Sequence, residues 1–598
     1  MRRPPFPLPL RLAYPLSLLS GLLYFVAFPG IDVWPLAFVA LVPLFLALAG
    51  QRAKHGFWLG WTAGFGMTIT GFYWLNYTLE VFSGFPQPLC WLFQAILCGY
   101  QAGRIGLFGW LFTRGEARGW GRGLTLVAAF AASELMFPLL FPWFYGATVH
   151  QLPALLQVAE LGGPIAISLL LVGFNYAVSE LLLARLESRP LRRLALLCAV
   201  APGVAAAYGA VRIPMVDTRS AAAEKLEVGL VQANMSLMGK RKNKREGLDR
   251  HLRLTQELQA QGPLDLVVWS ETSVMSAVQE DEADRSLRKQ FTTKLGVPAL
   301  FGSVLVRPVQ DAREYVLFNS AMLTDKSGAV VGRYDKQLLL AFGEYLPFGN
   351  TFPILYEWSP HSGRFQPGTS FKPLKLGEHE IAVVVCYEDV LPSFVNRVMS
   401  EGDPELIANL TNDAWFGDST EPWIHLALAK LRAVEHRKFF VRSTNSGVSA
   451  FVDPVGRIIS NTSTFVEASQ RATLRWMKGK TLYTHWGDAP WWLVSAASVF
   501  FAFRRRRRAT PPSVEGTQPE APPLAPTGAY GEAGTGSEAN VEAVAGPDLA
   551  PELAESPPAS GSQVPLPLPA TESAEAPIPE PPPSLPSLHP SFPKPGSG

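Results

Sequence analysis

Three residue types that together can perform acyl transfer lie in the middle of this 598-residue sequence. Cys386 ends an apolar run that begins at residue 381, and it is the one cysteine outside the long membrane-like segments. Glu271 follows a second apolar run, and Lys336 lies between the two. A thiolate attacks carbonyl carbon, a carboxylate can take the thiol proton, and an ammonium group can stabilise the resulting oxyanion. The combination predicts covalent chemistry at an ester or amide carbonyl.

Each of these residues also has an ordinary structural explanation. A cysteine after a β-like run is commonly a small buried apolar residue, and single glutamates and lysines commonly lie on the surface. Placement favours chemistry, because the polar residues Tyr387 and Glu388 follow Cys386 directly, as expected where a strand delivers a side chain to a sheet edge. The backbone N–H of Tyr387 would then be a second donor to the oxyanion.

The elements that would position these side chains form an α/β domain over about residues 225–480. Short runs of Val, Ile and Leu alternate there with stretches of helical spacing. Such a region is long enough to bury a full core. The predicted strands are 227–232, 264–269, 299–306, 329–332, 381–385, 406–410 and 448–452, and the predicted helices are 247–260 and 423–437.

The rest of the chain is too apolar for a wholly soluble protein, with 48% hydrophobic and 17% charged residues and a mean hydropathy of +0.13. Apolar runs near the length needed to cross a bilayer predict about eight helical spans. Glu134 and Arg104 fall within two of them and are expected to face the bundle interior. The predicted spans are 12–28, 33–48, 57–75, 88–112, 124–143, 164–183, 194–211 and 489–503.

The basic residues predict the orientation of these spans. Clusters of Arg and Lys precede the first span, follow the second, fourth and sixth, and follow the eighth as Arg504–Arg508, whereas the alternate connections carry none. The positive-inside rule then places both termini in the cytoplasm and residues 213–488 on the other side of the membrane. A cleaved signal peptide in place of the first span is the alternative, but it would break the charge alternation.

Several function classes are disfavoured. The net charge of +2 and the lack of a basic stripe argue against a nucleic-acid partner. The four cysteines form no disulfide framework or CxxC pattern, and the nine histidines show no metal-binding spacing. We therefore expect no metal and no cofactor. From about residue 509 the composition shifts to Pro, Ala, Glu, Ser and Gly, which predicts a disordered tail.

Specific motifs resemble a known family. The segments 266–271, 332–336 and 385–389 resemble the three catalytic segments of the nitrilase superfamily, which uses a Glu-Lys-Cys triad. The flanking segments at 319–321, 342–345 with Pro347, 412–417 and 444–447 resemble the apolipoprotein N-acyltransferase family, as do the membrane segments at 71–74, 141–143 and 157–162 through Asn175. The resemblance covers about residues 12–505.

The resemblance implies residue roles. Glu271 would be the proton acceptor, Lys336 the electrostatic stabiliser of the oxyanion and Cys386 the nucleophile, with Glu344, Tyr387 and Glu388 supporting the site. Glu344 and Glu388 each keep an alternative role as structural carboxylates that bind an arginine or a backbone amide. The implied fold is a polytopic helical membrane bundle with a nitrilase-like αββα sandwich.

The resemblance also implies an activity. The protein would transfer an acyl chain from a phospholipid to the α-amino group of the diacylglyceryl-cysteine of an apolipoprotein, through a thioester on the enzyme. It would lie in the bacterial inner membrane, as a monomer. Residues 1–212 would hold seven spans, 213–488 the periplasmic catalytic domain, 489–508 the eighth span and arginine run, and 509–598 a cytoplasmic tail.

The sequence departs from the family at two places. The family usually has a tryptophan shortly after the Gln232-Ala-Asn234 segment, whereas this chain has a basic run at 236–245. Met238 or that basic run would substitute, the latter by binding anionic headgroups. Ala341 stands where the family usually has proline, so a less rigid loop is expected there.

Two other functions remain open at this stage. A membrane-tethered amidase would use the same triad with water as the acceptor, and a non-enzymatic membrane scaffold would not need the triad. The apolar segments 338–342 and 348–358 favour the transferase, because we expect them to form lids that contact the membrane or an acyl chain.

Overall fold

The N-terminal part of the chain folds into helices that pack around one apolar core. The computed structural model describes residues 7–83, 85–236, 243–308, 315–341, 343–346, 348–349, 351–358 and 363–506. The predicted tail at 509–598, Met238 with the lysines beside it, Phe342 and Pro347 lie outside this set. The helices are α1 (Leu10–Ala27), α2 (Val42–Ala47), α3 (Ala53–Gly71), α4 (Leu75–Ser83), α5 (Gln87–Ala117), α6 (Arg122–Met136), α7 (Pro153–Leu156), α8 (Ala159–Leu186) and α9 (Arg193–Ala222).

Three helices among the described residues are long and apolar enough to cross a membrane: α1, α8 and α9. A shorter apolar helical stretch spans Trp34–Ala47, and a second, Ala489–Phe503, returns to this bundle from the far end of the chain. Arg104 and Glu134 are both buried and form an ion pair of 3.4 Å between α5 and α6. The prediction that they face the bundle interior is therefore confirmed.

Proline residues explain two errors in the predicted spans. The span predicted over 33–48 is not one continuous helix, because it divides into a short 3-10 turn (Trp34–Phe38) and α2, with Pro35 and Pro43 in their first turns. The span predicted over 124–143 ends at Met136, since Pro138 restricts the residue before it to extended backbone.

Two boundaries also differ from the prediction. Residues 75–83 form helix α4, where the sequence suggested a connection. Helix α9 continues to Ala222, so a division at 212/213 falls within a helix, and the first strand begins at Lys225.

Two β-sheets form the second part of the chain. Within the described residues, one has the strand order β13-β1-β2-β4-β5-β6, with β3 paired to β4, and the other has the order β12-β11-β10-β9-β8-β7. The strands are β1 (Lys225–Gln232), β2 (Leu266–Trp269), β3 (Val274–Gln279), β4 (Ala299–Pro308), β5 (Tyr315–Thr324), β6 (Val330–Asp335), β7 (Leu374–Leu376), β8 (His379–Val385), β9 (Leu406–Thr411), β10 (Phe439–Thr444), β11 (Ala450–Val452), β12 (Ile458–Asn461) and β13 (Ala468–Arg475).

The sheets face each other across a shared apolar core that joins side chains of β1 and β2 to those of β8 and β9. A helix layer covers the outer face of each sheet, which gives the predicted αββα sandwich. The strands predicted at 227–232, 264–269, 299–306, 381–385 and 406–410 are present. The remaining helices are α10 (Lys244–Ala260), α11 (Ala283–Gln290), α12 (Ile354–Trp358), α13 (Pro392–Ser400), α14 (Glu421–Ala429), α15 (Leu431–His436), α16 (Leu482–Trp486) and α17 (Ala489–Phe503).

Buried polar contacts join the sandwich to the helical bundle. Arg437 directly follows α15, and its Nε donates to the Glu160 carboxylate on α8 at 2.8 Å. Arg212 on α9 donates to the same carboxylate at 2.6 Å. Helix α8 breaks at Gly162 and Gly163, where Gly163 has a φ of 65°. The break makes room for the Tyr483 ring, which a Cβ at Gly163 would approach within 2.6 Å.

Gly302 in β4 provides a test of this packing. A Cβ at this position would lie 2.3 Å from the backbone nitrogen of Thr272 and 2.8 Å from the Cα of Glu271. We expect Gly302→Ala to lower the free energy of unfolding by about 1–3 kcal/mol, because the backbone beside Glu271 must move. Denaturation of the purified protein in detergent measures this change.

Gly247→Ala is the matched control. Gly247 lies within α10, and its added Cβ would make an ordinary 3.6 Å contact with Met235. Alanine is favoured over glycine inside a helix by about 1 kcal/mol. Equal destabilisation by the two substitutions would contradict the proposed steric constraint at Gly302.

Candidate active site

The three residues singled out by the sequence each follow the C-terminal end of a strand. Glu271 comes two residues after β2, Lys336 directly after β6 and Cys386 directly after β8. The strands β2 and β6 belong to one sheet and β8 to the other. The fold therefore brings the three side chains together at one edge of the sandwich, where they line a common cavity of about 120 Å³.

Lys336 lies between two carboxylates. Its Nζ is 3.2 Å from Glu271 Oε1 and 2.8 Å from Glu344 Oε2, and all three side chains are largely buried. Asn319 also bridges the two carboxylates, since its Nδ2 donates to Glu271 Oε1 and to Glu344 Oε1 at 2.7 Å each. Glu344 is thus part of the cluster. The sequence indicates Asn319 only as part of the flanking segment 319–321. An asparagine by itself does not show which carboxylates its amide group will bind.

Cys386 is held in an uncommon backbone conformation. Its φ is 54°, and its side chain is 2% exposed. A left-handed conformation at a non-glycine residue costs about 1–3 kcal/mol and persists only where neighbouring contacts impose it. Here Asn409 Nδ2 donates to the Cys386 carbonyl at 3.1 Å, and the Val385 N–H donates to Glu388 at 2.7 Å. These bonds hold the carbonyl of Cys386 and the amide of the residue before it.

The electrostatics of the cavity match a resting thiol beside a base. Burial raises the pKa of the Glu271 carboxyl, with Lys336 opposing and Glu344 reinforcing the shift. Burial also raises the pKa of the Cys386 thiol well above its usual value, and Glu271 adds to that shift. Burial alone would lower the pKa of Lys336, but the two carboxylates raise it well above the usual value. The cluster thus holds a neutral thiol, a proton acceptor and a permanent cation.

Glu388 binds backbone and is turned away from the small cavity. Its Oε1 accepts from the N–H groups of Gln337 at 2.7 Å and Leu338 at 3.0 Å, and its Oε2 accepts from Val385 N–H and from the Tyr334 hydroxyl at 2.8 Å. Burial raises the pKa of Glu388 to about 7. Glu388 thus binds backbone amides, which is the structural alternative given above. It ties the segment after Lys336 to the turn Cys386–Val390, called here the nucleophile turn.

Tyr387 packs between the two parts of the chain. Its ring centroid lies 5.8 Å from that of Phe141 in the helical bundle and 5.7 Å from that of Phe416. The ring also stacks on His425, and its hydroxyl donates to Glu421. Tyr387 therefore connects the turn at Cys386 to the apolar core of the helical bundle.

Exposed apolar side chains occur in the segments predicted as lids. Leu338, Phe348, Phe352 and Ile354 are all exposed, Phe348 by 75%. Residues of both segments line a second cavity of about 1170 Å³, which shares Gly363 and Phe365 with the small one. The segments predicted as lids therefore lie beside this larger cavity, and its lining overlaps that of the small cavity at Cys386.

One buried cluster was not expected from the sequence. Asp413, Glu421 and His425 bring three potential metal-ligand atoms within 4.8 Å of one another. All three groups already have partners, since Arg442 binds Asp413 at 2.9 Å, His425 uses both ring nitrogens on Asp389 and Asp413, and Glu421 accepts from the Tyr387 hydroxyl. A cation is thus already present, and the cluster is better described as an ion-pair network than as a metal site.

Two protein-family models match this chain. Residues 20–177 match the model of the apolipoprotein N-acyltransferase N-terminal domain, and residues 227–475 match that of the carbon-nitrogen hydrolases. The apolipoprotein N-acyltransferase of Azotobacter vinelandii is 32% identical over 528 residues, covering 84% of this chain and 97% of the relative. The chain belongs to the apolipoprotein N-acyltransferase family. It is therefore an N-acyltransferase, and the amidase alternative is not supported.

A second relative and two solved structures are also similar to this chain. The apolipoprotein N-acyltransferase of Geobacter metallireducens is 29% identical over 518 residues, covering 85% of this chain and 98% of the relative. Among solved structures, an amidase of the nitrilase superfamily from Nesterenkonia is similar with 19% identity and a TM-score of 0.31, covering 42% of this chain and 90% of that one. Nit3 of Saccharomyces cerevisiae is similar with 18% identity and a TM-score of 0.32, with the same coverage.

Glu388→Gln tests the positioning role of Glu388. A glutamine keeps one acceptor oxygen but turns the other into an NH₂ group, which cannot accept the N–H and O–H bonds that Glu388 receives. A buried N–H left unpaired costs about 1–3 kcal/mol. We expect the free energy of unfolding to fall by about that amount, and acyl transfer to fall by about tenfold or more as the Lys336 segment loosens.

Glu401→Gln is the control for this prediction, because Glu401 is an exposed carboxylate just after α13. It should leave both the stability and the transfer rate unchanged. Wild-type behaviour of Glu388→Gln in both measurements would show that the four hydrogen bonds do not position the site.

Proposed function

We propose that this N-acyltransferase moves an acyl chain from a phospholipid to the α-amino group of the N-terminal diacylglyceryl-cysteine of an apolipoprotein, by a ping-pong reaction. The observation that carries the proposal is the cavity in which the buried side chains of Glu271, Lys336 and Cys386 meet, next to a larger cavity lined in part by the apolar segments. A buried nucleophile site close to apolar surface suits an enzyme that draws its donor from a bilayer.

The first half-reaction would acylate Cys386. Glu271 takes the proton from Sγ, and the sulfur attacks the ester carbonyl carbon of the phospholipid. Lys336 and backbone N–H groups, including that of Tyr387, stabilise the oxyanion. The carbon–oxygen bond then breaks, and the leaving alkoxide receives the proton held by Glu271. Lysophospholipid departs, and a thioester remains on the enzyme.

The second half-reaction would consume the thioester. The neutral α-amino group of the lipidated cysteine attacks the thioester carbonyl, and Glu271 accepts one amine proton. The carbon–sulfur bond breaks, the amide forms, and the proton returns to Sγ. The raised pKa of Glu271 suits a group that must accept and return a proton in each half.

We further propose the arrangement in the membrane. The apolar helices, the arginine pattern and the family relationship support a bacterial inner-membrane protein of about eight spans, with both termini in the cytoplasm and the sandwich in the periplasm. The membrane domain would extend to Ala222, where α9 ends. The sandwich would follow up to about residue 488, and α17 with its arginine run would form the last span. The acceptor amine and the outer-leaflet phospholipid would then both reach Cys386.

The acyl-enzyme provides the test. Purified protein in detergent is mixed with a phospholipid that carries a labelled acyl chain, without any acceptor, and label on the protein is followed by intact mass. We expect label that hydroxylamine releases in the wild type and no such label in Cys386→Ser, because an ester on serine resists mild hydroxylamine and the hydroxyl is a poorer nucleophile.

Cys198→Ser is the matched control, since this cysteine lies on α9 outside the cavity. It should take up label like the wild type. Folded wild-type protein that takes up no label from any phospholipid would exclude phospholipid as the acyl donor.

A further inference from the structure

The ion-pair network behind the nucleophile turn contains five buried ionisable side chains. Arg442 binds Asp389 at 2.8 Å and Asp413 at 2.9 Å. His425 lies between the same two carboxylates, at 2.8 Å and 3.1 Å. Glu421 is the fifth member, with one carboxylate oxygen 3.8 Å from His425 Nδ1. All five are fully buried.

Two connections link this network to Cys386. The hydroxyl of Tyr387, the residue after the nucleophile, donates to Glu421, and its ring stacks on His425 at a centroid distance of 4.5 Å. Arg442 also donates to Asn409 Oδ1 at 2.9 Å, and Asn409 donates to the Cys386 carbonyl. The Cys386 carbonyl and the residue that follows Cys386 are therefore both held by groups that belong to the network or are bound to it.

The charges of the network balance only if Glu421 is neutral. Arg442 and a protonated His425 supply two positive charges, and Asp389 and Asp413 supply two negative ones. An additional buried anion would be uncompensated and therefore expensive. Burial, with Asp413 beside it, raises the pKa of Glu421 to about 8. Burial and Arg442 lower the pKa of His425, but Asp389 and Asp413 raise it further, to about 9.

We propose that Glu421 is a positioning residue for acyl transfer, which holds Tyr387 beside the nucleophile and, as a neutral acid, keeps negative charge from building up next to Cys386 as its thiolate forms. The proposal deepens the proposed function of the same site and rests on it for its link to acyl transfer. The groups that face Glu421 are Tyr387 from the nucleophile turn, Asp413 from the turn after β9, His425 from its own helix and Arg442 from β10.

The charge of Glu421 makes thiolate formation at Cys386 depend on pH. Below pH 8 Glu421 is protonated and the network is neutral, so a thiolate at Cys386 meets no extra repulsion. As the pH rises through about 8, Glu421 becomes an anion, and formation of the thiolate is disfavoured. Glu421→Gln keeps an acceptor for the Tyr387 hydroxyl but cannot ionise. Glu421→Leu has a similar size and removes the acceptor.

The first measurement is alkylation of Cys386 by iodoacetamide in the full-length protein in detergent, followed by peptide mass spectrometry, because it needs no phospholipid. We expect Glu421→Gln to react at the wild-type rate at pH 6.5 and about three- to tenfold faster than wild type at pH 9. Equal rates at both pH values would overturn the charge role, whatever the outcome of the acylation test.

Glu435→Gln is the matched control. Glu435 is also fully buried on a neighbouring helix, and burial raises its pKa to about 8, but its partner is Arg432 and it does not contact Tyr387. It should alkylate like the wild type at both pH values. An equal acceleration in Glu435→Gln would mean a general effect of buried carboxyl groups and would overturn the assignment to Glu421.

The second measurement is the rate of thioester formation from labelled phospholipid. We expect Glu421→Leu to be about tenfold or more slower than wild type at pH 6.5, and Glu421→Gln to remain within about threefold, because only the glutamine keeps the Tyr387 bond. In a Tyr387→Phe background Glu421→Leu should add no further loss. A full additional loss there would show that Glu421 does not act through Tyr387.

Discussion

The shared lysine between two buried carboxylates is the interaction on which the site depends. Lys336 contacts Glu271 and Glu344 inside a cavity where neither carboxylate could remain charged alone. Removing the lysine from such a cluster leaves buried charge uncompensated, at a cost of about 3–5 kcal/mol. The ammonium group therefore stabilises the folded cavity at rest and supplies the positive charge that an oxyanion needs. One side chain serves both roles because the same burial strengthens both.

The nucleophile depends on a second set of constraints. The left-handed backbone conformation of Cys386, directly after β8, is unfavourable by itself. Two hydrogen bonds keep it in place, from Asn409 to the Cys386 carbonyl and from the Val385 N–H to Glu388. Glu388 also binds the segment after Lys336, so the two reactive groups are positioned relative to each other by one carboxylate. Tyr387 then joins this turn to Phe141 in the helical bundle. Through these contacts the candidate active site and the core of the helical bundle form one packed unit.

Much of the sandwich could be predicted because its strands are short apolar runs that end in reactive residues. Strands such as β5 and β13 were missed, because β5 mixes polar residues with apolar ones and β13 is half exposed and rich in polar side chains. The triad was found from residue types and motifs. Asn319 and the Glu421 network were not, since a buried polar contact between distant segments leaves no local pattern. In the bundle, prolines interrupt segments that hydropathy alone predicts as continuous spans. These prolines are Pro35, Pro43 and Pro138.

In the proposed reaction Glu271 removes the Cys386 proton when the donor ester is attacked. The most direct measurement is the single-turnover rate of Cys386 acylation by labelled phospholipid in wild type and in Glu271→Gln, with folding checked by thermal unfolding. Glutamine keeps the size of the side chain and an acceptor for Lys336, but it cannot take the proton. We expect acylation to slow by about 10²- to 10⁴-fold while the protein stays folded. A folded Glu271→Gln protein that acylates Cys386 at the wild-type rate would show that Glu271 is not the proton acceptor.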